Sequence, residues 1–173
     1  MPNLISLSLR LVSITLLALI SSCAQQYTVS INNQAVFDPT DRLLSAETRD
    51  PNLQGCINIA LLQQNVNDVA NLSVLSCANA EINDLENIGQ LAGLRFLDLG
   101  NNNISNITPL EDLSQLGGLN LMNNAIIDIS PLFNIVSLAS VSLLGNDGIP
   151  CDQLNTLAEK LGDNLTPPLG CNN

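Results

Sequence analysis

Leu94-Arg95-Phe96-Leu97-Asp98-Leu99-Gly100-Asn101-Asn102-Asn103-Ile104 decides how the rest of the chain is read. Apolar and other residues alternate across Leu97-Asp98-Leu99. A strand sends successive side chains to opposite faces, so the two leucines share one face and Phe96 and Asp98 take the other. The same spacing recurs upstream and downstream. Leu72, Leu94, Leu116 and Leu138 stand 22 residues apart. Aligned on them, the fourth column holds Leu75, Leu97, Leu119 and Val141, and the sixth holds Cys77, Leu99, Leu121 and Leu143. Columns eleven, fourteen, seventeen and twenty continue the pattern. Of the 28 positions in the seven columns, 27 are apolar and Gly148 is the exception. A composition that is 46% apolar gives fewer than half by chance, so the period is a structural repeat.

Working outward within one repeat, the late columns are spaced by three. That suits a tight, 3₁₀-like return path. Pro109 and Pro131 share a column there and keep a long helix from forming. Column nine holds Asn102, Asn124 and Asn146, with Ala80 in the first segment. A buried turn leaves backbone donors and acceptors that need partners. One asparagine amide supplies both kinds, so these three are expected to form a structural ladder from coil to coil.

The pattern L-x-x-L-x-L-x-x-N-x-I resembles the leucine-rich repeat, most closely the 22-residue internalin-type repeats of bacterial surface proteins. The likeness covers roughly residues 50–171. It implies an α/β solenoid: a right-handed leucine-rich-repeat coil with a parallel sheet on its concave face, an N-terminal helical cap and a disulfide-closed C-terminal cap. We divide the chain into 1–22, a signal peptide; 23–49, an anchored segment; 50–71, an N-terminal cap; 72–159, four repeats; and 160–173, a C-terminal cap.

A solenoid exposes its core at each end unless something covers it. Asp50-Pro51 is a good helix start, and Leu53, Ile57, Ala60 and Leu61 then fall on one face. Downstream, Leu154, Leu157, Ala158 and Leu161 form a second apolar face, with Gly162 as a stop. Upstream of the first helix, Tyr27–Ile31 alternates, Asn32-Asn33 signals a turn and Gln34–Phe37 returns, which reads as a hairpin beside the cap.

Residues 1–20 carry Arg10 followed by the apolar run Leu11–Ile20. The run is too short to span a bilayer and suits the core of an export signal. Ile20-Ser21-Ser22-Cys23 resembles the bacterial lipobox. The resemblance implies cleavage before Cys23, a thioether-linked diacylglycerol and an N-acyl chain on it, and a protein held at the cell envelope. Ala24 in the next position implies the outer membrane. Buried acyl chains anchor stably, each methylene contributing about 0.8 kcal/mol. With Cys23 taken by lipid, Cys56, Cys77, Cys151 and Cys171 remain, an even set with three pairings. Cys56 lies on the cap helix and Cys77 in an inward column, while Cys151 and Cys171 bracket the C-terminal cap. We expect Cys56–Cys77 and Cys151–Cys171, each closing a loop worth roughly 3 kcal/mol in the chain-entropy model.

Composition narrows function. The 173 residues contain no histidine, which removes Ser-His-Asp and Cys-His catalysis and His-ligated metal sites. We expect no catalytic residues, no metal and no cofactor. With 16 acidic residues against 5 basic ones, the chain lacks the Lys/Arg footprint that nucleic acid needs. The register puts Val74, Ser76, Phe96, Asp98, Asn120, Met122, Ser142 and Leu144 on the concave face as candidate partner contacts. Phe96, Met122 and Leu144 are its large apolar members and are expected to form one exposed cluster, the kind enriched at interface cores. The expected function is a lipid-anchored module that binds an unidentified protein. The rival reading is a structural envelope component or adhesin without a specific soluble partner.

Overall fold

The computed structural model of the protein describes residues 29–31, 34–37 and 48–171. The signal segment and the lipid site expected at Cys23 lie outside them. Strands β1 (Val29–Ile31) and β2 (Gln34–Phe37) pair antiparallel, with Ile31 opposite Gln34 and Val29 opposite Phe37. Strand β2 lies beside helix α1 (Pro51–Gln63). Asp50 starts that helix in an extended conformation and accepts from the Asn52 and Leu53 amides. Proline at the first helical position costs no hydrogen bond, because that N–H has no intrahelical acceptor. The other Asp50 oxygen accepts from Asn83 N at 2.8 Å and Asp84 N at 3.3 Å. This one buried carboxylate therefore fastens the helix to the return path of the first coil.

Four three-residue strands follow: β3 (Val74–Ser76), β4 (Phe96–Asp98), β5 (Gly118–Asn120) and β6 (Ser140–Ser142). They pair in parallel, with Val74, Phe96, Gly118 and Ser140 side by side. The offset between partners is the sequence period, so the aligned columns are rows in space. Leu72, Leu94, Leu116 and Leu138 are all buried, as are Leu75, Leu97, Leu119 and Val141 beside them. Each strand leaves through a left-handed position: Asn79, Asn101, Asn123 and then Gly145 all have positive φ. Asparagine and glycine are the residues that adopt this conformation at least cost. The coils return through 3₁₀ turns at Val69–Asn71, Ile88–Gln90, Thr108–Asp112 and Ser130–Asn134, and Pro109 and Pro131 sit in the first turn of the last two. Asp84, Asn106 and Asp128, one per coil, each accept from the amide two residues on and start these returns.

The last coil departs from the repeat. Gly148 is exposed and Ile149 is buried in its place. The return path becomes helix α2 (Cys151–Leu161) instead of a 3₁₀ turn. Leu154, Leu157 and Leu161 face the core, but Ala158, expected on that face, is exposed. Gly162 closes the helix at positive φ. A fifth parallel strand, β7 (Leu165–Thr166), pairs with β6 and places Leu165 beside Val141 and Thr166 beside Ser142. That strand falls in the segment expected to form only a cap. Its offset is two residues longer than the repeat, which a search for a constant period passes over.

Cys56 on α1 and Cys77 beside β3 form a disulfide with a Cα–Cα distance of 5.9 Å. Cys151 is disulfide-bonded as well. It lies exposed at the start of α2, not in the inward row its column implies. The side chain of its expected partner, Cys171, is outside the described ones.

Candidate functional site

The inward rows are uniform, so the side chains that differ between repeats stand on the other face of the sheet. They form three rows. The first runs Val74, Phe96, Gly118, Ser140, and the second runs Ser76, Asp98, Asn120, Ser142, Thr166. The third, just past the strands, follows the 22-residue spacing through Ala78, Gly100, Met122 and Leu144.

The second row is knitted together. Asn120 Nδ2 donates to Asp98 Oδ1 at 2.8 Å, and the Ser76 hydroxyl reaches Asp98 Oδ2 at 3.4 Å. Backbone amides join in: Gly100 N donates to Asp98 Oδ1 and Met122 N to Asn120 Oδ1. Asp98 is thus held in a fixed orientation by neutral donors.

This polar row corrects the single apolar cluster expected from the sequence. Val74 and Phe96, 47% and 43% exposed, stand at one corner of the face. Met122 and Leu144, each partly buried, stand at the diagonally opposite corner. The sequence places all of them outward but does not say on which side of Asp98 and Asn120 each falls. Two glycines seat the large side chains. A Cβ on Gly118 would lie 2.8 Å from the Phe96 ring, and one on Gly100 would lie 3.3 Å from Met122 Cγ. Phe96 therefore leans across the next strand and Met122 leans back over the previous one.

Among the described residues, this face carries a groove and a hollow. A groove of about 450 Å³ runs between α1 and β3, with Ile59, Gln63 and Gln64 on the helix side and Val74, Ser76 and Ala78 on the strand side; Cys56 lines it. Gln64 Nε2 donates to the Val74 carbonyl across it. A smaller hollow of about 210 Å³ lies over β5 and β6, between Phe96 and the edge at Asn164 and Thr166.

The three asparagines of column nine lie beneath, out of a partner's reach. Asn102 Oδ1 accepts from Ala80 N and Ile82 N, while its Nδ2 faces the carbonyls of Cys77, Leu99 and Gly100. Asn124 accepts from Ile104 N and donates to Leu99 O and Leu121 O. Asn146 repeats this with Ile126 N, Leu121 O and Leu143 O. Each amide reaches back one coil. The first repeat has no coil behind it, and Ala80 stands there. A second asparagine contact, Asn123 Nδ2 to Asn101 Oδ1 at 2.7 Å, joins the left-handed corners. Its signal was present in the sequence as a column of Asn, Asn, Asn and Gly immediately before the ladder.

Among the described residues, no three His, Cys, Asp or Glu side chains gather as a metal site, and no helix is long and apolar enough to cross a membrane.

The leucine-rich-repeat family matches residues 70–112 in two copies. No curated protein matches the chain. Among solved structures, the chain is similar to an internalin (inlF) of Listeria monocytogenes, with 25% identity and a TM-score of 0.62 over 76% of this chain and 39% of that one. It is also similar to internalin C2 (inlC2) of the same organism, with 24% identity and a TM-score of 0.58 over 81% of this chain and 59% of that one. The chain thus spans about two fifths and three fifths of these two structures. With the five-stranded parallel sheet, these likenesses make the described residues an internalin-like leucine-rich-repeat solenoid.

Proposed function

We propose that the protein is a lipid-anchored module that binds another protein at the bacterial cell envelope, in the outer membrane, through the concave face of its sheet. One observation carries the binding reading. The inward side chains of β3 to β6 hardly change from repeat to repeat, whereas the outward ones change at every step and leave Val74 and Phe96 exposed. Folding does not require an aromatic ring in water, so the variable face is where a partner is recognised. Asp98, prefixed by Ser76 and Asn120, supplies direction between the two apolar corners. Ser142 extends this polar row, while Met122 and Leu144 form the far corner. The anchor rests on Ile20-Ser21-Ser22-Cys23 directly after an apolar run. We assign the helices at the two ends to capping, which leaves the lipid to confine a rigid module to one leaflet.

The test is cross-linking in intact cells with wild type, Phe96→Lys and Met122→Lys. A discrete adduct should form with wild type and be lost with the variants. An adduct that survives both charges rules the face out as the contact. Separately, Cys23→Ser should move the protein from the membrane to the soluble fraction. Lasting retention, with no acyl mass on the wild type, defeats the anchor.

A further inference from the structure

We propose that the hollow beside Phe96 is a subsite for one neutral pyranose unit of a glycan. The chain has four aromatic residues, Tyr27, Phe37, Phe96 and Phe133. Of the two whose side chains are described, Phe133 packs against the core and Phe96 stands in the open as one wall of the hollow. Gly118 seats that wall. The point where its Cβ would stand is 2.8 Å from the ring and 3.5 Å from the Ser140 hydroxyl, so a larger residue would push the ring out of its place.

The rest of the lining is uncharged, and Leu119 and Val141 contribute to it beside a polar set. Ser140, Ser142, Thr166, Asn120 and Asn164 surround the hollow. Asn120 is engaged with Asp98 and Met122 N. The three hydroxyls bond to no side chain among the described residues and are available to a ligand. An apolar peptide side chain placed here would strip water from these groups and return no hydrogen bond to them. A pyranose matches both halves. One face presents C–H bonds, which suit the electron-rich face of a phenyl ring, and its rim of hydroxyls can give to and take from hydroxyls and amides. At about 210 Å³ the hollow falls below the size of drug-ligand pockets, which limits it to a single ring. A net charge of −11 and the nearby Asp98 disfavour sialylated, sulfated or uronate sugars. The inference goes beyond the protein contact proposed above and is tested without any protein partner.

The probe is an array of immobilised glycans, where dense presentation makes weak single-site binding visible. One set carries neutral wall-type oligomers (β-glucan and N-acetylhexosamine repeats). A second carries neutral mannose- and galactose-terminated glycans of glycoproteins, and a third carries anionic glycans. Retention is expected on a neutral set, and the set retained assigns the source as polysaccharide or glycoprotein. Phe96→Ala and Gly118→Val should each reduce it at least tenfold, with circular dichroism confirming that both stay folded. Phe96→Tyr should preserve it. Met122→Lys should also preserve it while abolishing the protein adduct, which keeps the two readings separable. No retention on either neutral set, equal retention on the anionic set, or retention undiminished in Phe96→Ala overturns the proposal.

Discussion

Leu97 and Phe96 are consecutive residues of one strand, yet they belong to different regimes. Leu97 points into the stack, is fully buried, and has a leucine beside it on both neighbouring strands. Phe96 points out, is 43% exposed, and is flanked by Val74 on one side and Gly118 on the other. The inner face says the same thing in each coil because each coil must stack on the last. The outer face says something different in each coil, and the proposed contact rests on that variation. Repetition carries the fold, and departure from repetition carries the proposed site.

The sharpest way to break this contrast is to truncate both residues. Leu97→Ala opens a cavity between coils that cannot easily collapse, and it should cost about 2–5 kcal/mol. Phe96→Ala removes a ring that is already about half in water, so about 1 kcal/mol is expected. Urea denaturation of the two variants checks the difference. Equal losses would mean that Phe96 is a core residue and that the outer face is not free for a partner.

Asn102 tests the same contrast with polar chemistry. Its amide is a buried polar group serving both sides of the turn, so Asn102→Ala strands several backbone groups at once. A loss of about 2–3 kcal/mol is expected from their unmet hydrogen bonds. The isosteric Asn102→Asp keeps the acceptor toward Ala80 N and Ile82 N but sets a second oxygen against the carbonyls of Cys77, Leu99 and Gly100. It should be destabilised more at pH 7 than at pH 4, where the carboxyl can regain a proton to donate. Equal loss at both pH values would show that only the accepting half matters.

These contrasts also explain how far the sequence could be read. A feature that recurs at a fixed interval announces itself, and the leucine rows and the column of Asn102, Asn124 and Asn146 do so. The Cys56–Cys77 bond follows from that register, because it places Cys77 in an inward row next to the first helix. Features that occur once give no such signal. Strand β7 escaped because its coil is longer than the period, and Ala158 was assigned to the core by helical spacing that the packing of α2 does not use. The arrangement of the outer face was only half legible. Alternation sends Phe96, Met122 and Leu144 outward, but their separation by the Ser76–Asp98–Asn120 row depends on strand pairing. The wall of the hollow depends on Gly118, whose missing side chain makes room for the Phe96 ring.

The weakest position in this scheme repeats but is not buried. Asp84, Asn106 and Asp128 occupy one column, and each accepts from the amide two residues on. Asn106 performs the task without charge, so the fold requires an acceptor there and the carboxylate is an addition. Asp128 shows the size of that addition. The Ser130 amide and hydroxyl, with a smaller contribution from the Gln153 amide, hold its carboxyl below the ordinary aspartate value. A folded-state pKa below the unfolded one means that the unfolded chain binds more protons between the two values. The stabilisation is therefore complete above the unfolded value of about 3.9 and is lost as pH falls through the folded one. Asp128→Asn keeps the turn acceptor and removes only this pH-dependent part. Wild type and variant should differ slightly at pH 6, and the gap should be smaller at pH 3, below the unfolded value. The gap should shrink in high salt, because the carboxylate is fully exposed to solvent. Urea melts at both pH values and two salt concentrations measure it. A gap equally large at pH 3 and pH 6 would place the effect in hydrogen-bond geometry instead of charge, and would move this column into the class of Asn102.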